Sequence, residues 1–191
     1  MRQTTIIMVV IAMMAASAGY FVAMVFAPPP QHSTQLTNIN TRAVTDGQLE
    51  NIVGQPRPDF TLTDVDGSPV SVSAYEGKLL LINFWATWCA PCVEEMPMLS
   101  ELQSRYADQE FQILGIALDD PIKASDFAAE LGVVYPILVG TTDAVLVGRQ
   151  YGNRAGMLPY SVLIDQKGIV QWSHLGALVS EELEAQITAL F

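Results

Sequence analysis

Cysteine is scarce in this chain, with two in 191 residues, and histidine is as rare. Two thiols exclude a multi-disulfide scaffold and any four-cysteine zinc site. Charge is also thin, at 15% of residues, and most of it is of one sign. Nine Lys and Arg stand against 20 Asp and Glu, a formal net charge of −11. That deficit of cations excludes nonspecific nucleic-acid binding, which needs a basic surface to displace counterions from phosphates. Disorder is excluded by the opposite excess, because half the residues are hydrophobic and supply an ample core. The length suffices for one domain with little left for a second. A mean hydropathy of +0.30 is high for a soluble domain and points to a membrane segment.

The excess hydrophobicity is local. Residues 6–27 read IIMVVIAMMAASAGYFVAMVFA without one charge. As a helix they span roughly 33 Å, about the thickness of a bilayer's hydrocarbon core. Residues 1–5 form a short N-terminus whose Arg2 and α-amine favour a cytoplasmic start, which places everything after Pro28 outside the cytoplasm. A cleaved signal peptide is the alternative, but its apolar region is normally about 7–15 residues and ends at small residues rather than Pro28-Pro29-Pro30. Residues 28–50 are polar and aperiodic and read as a flexible linker containing His32. Residues 51–191 are left as the domain. From Asp46 onward there are seven basic and 20 acidic residues, a net charge of −13.

Within the domain, 59–72 predicts two short strands around Asp66-Gly67. The nearly continuous apolar runs at 78–85 and 111–118 predict strands covered on both faces. Helices are predicted over 91–106, 121–131 and 142–151, with a strand at 134–139 between the last two. A second hairpin is predicted over 159–164 and 169–175, then a helix capped by Ser180 and running to the C-terminus. Strands alternating with helices, closed by a hairpin, give an α/β domain with a mixed sheet and helices on its faces.

Both cysteines fall in Trp88-Cys89-Ala90-Pro91-Cys92, where a buried strand ends and a helix begins. A thiol there meets unpaired backbone N–H groups and the positive end of the helix dipole, and both favour thiolate. Two intervening residues allow a small disulfide ring that opens and closes locally. Cys89, at the helix mouth, is expected to be the exposed attacking thiol. Cys92, one turn in, is expected to be more buried and to resolve the mixed disulfide. Pro91 holds an early helical position, where its missing N–H is harmless. A zinc half-site would need two more ligands, and His32 and His174 have no clustered spacing, so no metal site is expected. A purely structural disulfide closing four residues removes only about 2 kcal/mol of denatured-state entropy. Glu95, one turn after Cys92, is either a buried carboxyl with a raised pKa suited to proton transfer or a solvated helix residue beside Glu94.

The run from Asn83 to Cys92, followed by Glu95 and Pro97, resembles the active-site segment of the thioredoxin superfamily. More narrowly, it resembles the membrane-anchored thiol–disulfide proteins of the TlpA/ResA/DsbE type. The likeness covers about residues 54–191. Upstream it includes Pro58-Asp59-Phe60, Asp66-Gly67 and Gly77-Lys78, a lead-in shared with peroxiredoxins. Downstream it includes Leu158-Pro159, 162–165 and Gly168, and His174-x-Gly176. The resemblance implies a thioredoxin fold with an N-terminal hairpin extension and an inserted strand–helix element between 118 and 136, preceded by one transmembrane helix. It implies that Cys89 is the nucleophile, Cys92 the resolving thiol and Glu95 a residue that tunes the pair. It makes Pro159 a cis-proline that exposes Leu158 to substrate, places Trp85 and Trp88 beside the site, and has Pro97 kink the helix. Thioredoxin's buried aspartate corresponds to Asn83, which cannot accept a proton, so that role falls to Glu95 or water.

The implied function is an extracytoplasmic reductant of client-protein disulfides, in cytochrome c or respiratory-complex maturation. Its clients would be apocytochrome c or copper-site proteins. The redox-active disulfide serves in place of a cofactor, and a membrane electron donor returns the electrons. Two other activities suit the same fold. A copper metallochaperone would use CxxxC and a placed histidine, for which only His174 is a candidate. A peroxidase would use Thr-x-x-Cys, for which Thr87 is too close to Cys89.

Overall fold

The computed structural model describes residues 49–191, so the predicted membrane span and nearly all of the predicted linker lie outside the described residues. Seven strands form one mixed sheet in the order β2-β1-β5-β4-β3-β6-β7. The strands are β1 (Thr61–Asp64), β2 (Pro69–Ser71), β3 (Leu79–Trp85), β4 (Phe111–Ala117), β5 (Ile137–Val139), β6 (Tyr160–Ile164) and β7 (Val170–Leu175). The helices are α1 (Ala90–Arg105), α2 (Pro121–Glu130), α3 (Thr142–Gln150) and α4 (Ser180–Thr188). β3, β4 and β5 run parallel, joined through α1 and α2, while β6 lies antiparallel to β3 and β7 to β6. The β1–β2 hairpin extends the sheet by pairing antiparallel with β5.

β3 is buried at all seven positions, as its unbroken apolar run predicts. Its side chains alternate between two cores. Leu79, Leu81 and Trp85 pack with Met96, Leu99 and Leu102 of α1, Ala124 and Ala128 of α2, and Leu183 and Ile187 of α4. Leu80, Ile82 and Phe84 pack on the other face with Phe60, Tyr151, and Ala144 and Val147 of α3. On the α1 side the register sets Ser161, Asn83, Gly115 and Ile137 side by side across β6, β3, β4 and β5. A side chain at Gly115 would meet Ile137 Cδ1 at 2.6 Å, and Trp85 Nε1 and Tyr135 Cε2 at 3.2 Å. Glycine therefore lets those groups close over the sheet centre.

The structure departs from the sequence reading in small ways. Ser180 is the first residue of α4 rather than its cap; Val179 holds that place and gives no side-chain hydrogen bond. α4 ends at Thr188 rather than at the terminus. The segment 118–136 holds α2, but its strand begins only at Ile137. Pro136 has no N–H to give a ladder, and its carbonyl accepts from Gly115 N.

Candidate functional site

β3 delivers Ala86, Thr87 and Trp88 to the mouth of α1, where Cys89 is the N-cap, Ala90 the first helical residue, Pro91 the second and Cys92 the third. Cys89 and Cys92 are joined by a disulfide, with Cα atoms 5.3 Å apart. Cys92 is fully buried and Cys89 is 7% exposed. The expected order of exposure is present, but the expectation of an open Cys89 is corrected. In the oxidised pair its sulfur is tied to Cys92, and the residue belongs to the core beneath α1 that also holds Trp85 and Ala86. Trp88, by contrast, stands 71% exposed beside it.

An N-cap side chain ordinarily accepts from the N–H of the second or third helical residue. The second is proline, and the Cys92 N–H has no acceptor among the described residues. The Cys89 carbonyl already takes the Val93 N–H at 3.1 Å. One amide is thus left pointing at the helix mouth, where a thiolate on Cys89 would accept it.

Glu95 is buried at the inner side of α1, one turn beyond Cys92. Its Oε1 accepts from Asn83 Nδ2 at 2.8 Å, and its Oε2 accepts from the Leu178 N–H at 2.8 Å. Asn83 Nδ2 also donates to Ser161 Oγ at 3.0 Å. Burial pushes the Glu95 carboxyl up to about 7, against the opposing pull of the Leu178 and Asn83 donors. Glu94 is exposed, so the two adjacent glutamates separate by face. Burial, with the Glu95 charge adding to it, also raises the Tyr135 phenol. Its hydroxyl, Trp85 Nε1 and Asn83 Oδ1 are buried without a partner among the described residues.

The Leu158–Pro159 bond is cis. Leu158 packs partly buried against both cores. Its backbone N–H and C=O take no partner among the described residues, whereas the Pro159 carbonyl accepts from Gly176 N.

Three residues of this neighbourhood escaped sequence reasoning. Asp119, just past β4, accepts the N–H of Thr87 at 3.1 Å and the Thr87 hydroxyl on the same oxygen. Burial would raise its carboxyl, but the Thr87 and Asp120 donors outweigh it and hold the group below the usual carboxylate range. Ser161 is the lone polar residue of buried β6, a signal the sequence did carry. Leu178 contributes only its backbone. His174 lies on β7, two strands from β3, stacked on Trp172 with ring centroids 5.3 Å apart. Among the described residues, no group of three or more His, Cys, Asp or Glu side chains is placed to hold a metal ion.

Residues 53–173 match the family model described as the AhpC/TSA family. The thiol-disulfide oxidoreductase ResA of Geobacillus kaustophilus (strain HTA426) is 36% identical over 139 residues, 72% of this chain and 78% of that protein. The thioredoxin-like protein YneN of Bacillus subtilis (strain 168) is 33% identical over 138 residues, 70% of this chain and 78% of that protein. A crystal structure named for the thiol:disulfide interchange protein DsbE from Chlorobium tepidum superposes with a TM-score of 0.66 at 31% identity. It covers 72% of this chain and 96% of that one.

Proposed function

We propose that this chain, which belongs to the AhpC/TSA family and is a thioredoxin-like thiol–disulfide oxidoreductase of the ResA/DsbE type, works as a membrane-tethered reductant of client-protein disulfides. The observation that carries the reading is the Cys89–Cys92 disulfide at the N-terminus of α1, with the buried Glu95 one turn behind it.

In the reduced protein, the Cys89 thiolate is stabilised by the Cys92 N–H and the helix dipole. It attacks one sulfur of a client disulfide, so that the client S–S bond breaks and a Cys89–client bond forms. The other client sulfur leaves as a thiolate and takes a proton. Cys92 then loses its proton, with Glu95 as the nearby acceptor, and attacks the Cys89 sulfur. The second client thiol leaves, and the Cys89–Cys92 bond is restored. Two electrons pass to the client. A membrane electron donor returns them, and protons are taken up again at the site. Leu158, Pro159, Trp88 and Pro91 frame the disulfide. The unpaired backbone of Leu158 suits it to pair with an extended client strand. No bound cofactor enters the cycle.

Residues 6–27 would anchor the protein in the cytoplasmic membrane of a bacterium, and residues 28–50 would tether the domain on the periplasmic or outer face. Oxidation is the default there, so cysteines destined to bind haem or copper need a dedicated reductant. Apocytochrome c and copper-site proteins are the client classes this implies. A redox titration of the full-length chain tests the reading. A two-electron couple near or below that of thioredoxin, about −270 mV, is expected. A potential near that of DsbA, about −120 mV, would refute the reductant direction. Consumption of hydrogen peroxide without client reduction would favour a peroxidase instead.

A further inference from the structure

We infer that a groove beside the disulfide selects client segments carrying an acidic side chain close to the reacting cysteine, with Arg149 as the residue that reads it. The inference rests on the reductase reading above and adds to it a client chemistry.

A groove of about 460 Å³ opens next to Trp88. Leu118, Val145, Leu146 and Gly156 line it, and Arg149 is its cation. Two of its apolar walls are left in water, Trp88 at 71% and Leu146 at 51% exposure. Exposed apolar side chains on the walls of one recess suit it to contact another chain. The chain ties it to the site at two walls: Trp88 immediately precedes Cys89, and Gly156 lies in the loop that leads to Leu158 and Pro159. A segment lying across Cys89 and Leu158 would reach it within a few residues.

The charge of the groove opposes that of the domain. From Asp46 onward the net charge is −13, yet among the described residues no acidic side chain lines this groove. The acids nearest in sequence are turned to other work. Asp119 accepts from Thr87 and Asp120, and Asp143 accepts from the Ala144 N–H. Arg57, Lys78, Arg105 and Arg154 each have a carboxylate partner. Arg149, like Lys123 and Lys167, has none among the described residues, but of these three only Arg149 lines the recess that Trp88 borders. Its place in the last turn of α3 also complements the helix dipole. A dipole role would leave it indifferent to the client, and that difference makes the two separable.

The test uses two peptides of identical composition, each a symmetric dimer through a single cysteine. One carries Glu three residues before the cysteine and Lys three after; the other exchanges them. Their net charges are equal, so the field of the whole domain acts alike on both. The full-length chain, reduced stoichiometrically, is reacted with each in a single turnover. The isomer that sets Glu against the groove reacts about three- to fivefold faster at low salt, the range of an exposed ion pair. The ratio falls to about one in 1 M salt and in Arg149→Ala. It reverses in Arg149→Glu and persists in Arg149→Lys. Uncharged hydroxyethyl disulfide is reduced at the same rate by all four proteins. Equal rates for the two isomers, or an unchanged ratio in Arg149→Ala, would overturn the inference. Failure of the unmutated protein to reduce hydroxyethyl disulfide would instead overturn the reductase reading.

Discussion

Replacing Glu95 by Gln removes a titrating group while keeping its shape, and the structure says what should follow. Burial lifts this carboxyl from 4.5 to about 7. In the unfolded chain it titrates near its ordinary value. Below pH 4.5 both states hold the proton, and the group makes stability no pH-dependent contribution. Between pH 4.5 and 7 the folded protein holds a proton that the unfolded chain has released, so stability falls as pH rises. Above 7 both have lost it, and the full penalty of a buried carboxylate remains. At ~1.36 kcal/mol per pH unit that penalty is about 3 kcal/mol. Gln cannot match both contacts. Its carbonyl accepts one donor, and its NH2 faces the other of Asn83 Nδ2 and the Leu178 N–H, a mismatch of about 1–3 kcal/mol. The variant is therefore less stable than the unmutated chain where both hold the proton, and between pH 5 and pH 8 the difference shifts by about 2.5 kcal/mol in the variant's favour, enough to close the gap or reverse it. Urea unfolding of the oxidised full-length chain, followed by tryptophan fluorescence at steps between pH 4.5 and 8, reads this directly. All three tryptophans lie in the domain. A gap that stays constant to within about 0.5 kcal/mol across that range would refute the reasoning.

Cys92→Ala should leave Cys89 joined to client proteins, visible as adducts on non-reducing gels that vanish with reductant; their absence would argue against a client-reducing role. Asn83→Asp would set a second carboxyl against Glu95 in place of the 2.8 Å donor. The pair cannot both ionise cheaply, so the pH midpoint of its titration should rise above that of the unmutated chain, as infrared carboxyl bands would report. Asp119→Ala should lower stability by about 1–2 kcal/mol in urea, because Thr87 loses the acceptor for both its N–H and its hydroxyl. Gly115→Ala should cost about 1–3 kcal/mol, since the new methyl displaces Ile137 Cδ1 and presses on the Trp85 and Tyr135 rings.

The parts legible in the sequence are those set by short-range pattern. β3 and β4 announce themselves as unbroken apolar runs, and α1 as a three-to-four-residue repeat opened by Pro91. The inward turn of Glu95 follows from its spacing from Cys92. What stayed hidden depends on pairings that no local pattern encodes. Asp119 meets Thr87 across 32 residues, and Leu178 meets Glu95 across 83. Whether Cys89 stands open or covered depends on how the core beneath α1 closes over it. Ser180 has the composition of a cap, yet α4 begins one residue earlier than that role needs, because local propensity is weak against the packing of Leu183 and Ile187. The pairing of β1 with β5 joins a hairpin to a strand more than 70 residues on, and only the closed sheet reveals it.

The C-terminal segment that contains α4 is fastened to α1 and its C-cap Tyr106 at three points. The Leu178 N–H binds Glu95, Glu184 binds Arg105 and the Tyr106 hydroxyl, and Phe191 stacks on Tyr106 at 5.7 Å. α1 carries the disulfide, so residues 178–191 buttress the redox helix from Glu95 to its C-terminal end. The two helices should then behave as one cooperative unit. Their amide protons would exchange together, and opening at the C-terminus would loosen the seat of the cysteines before the sheet itself yields.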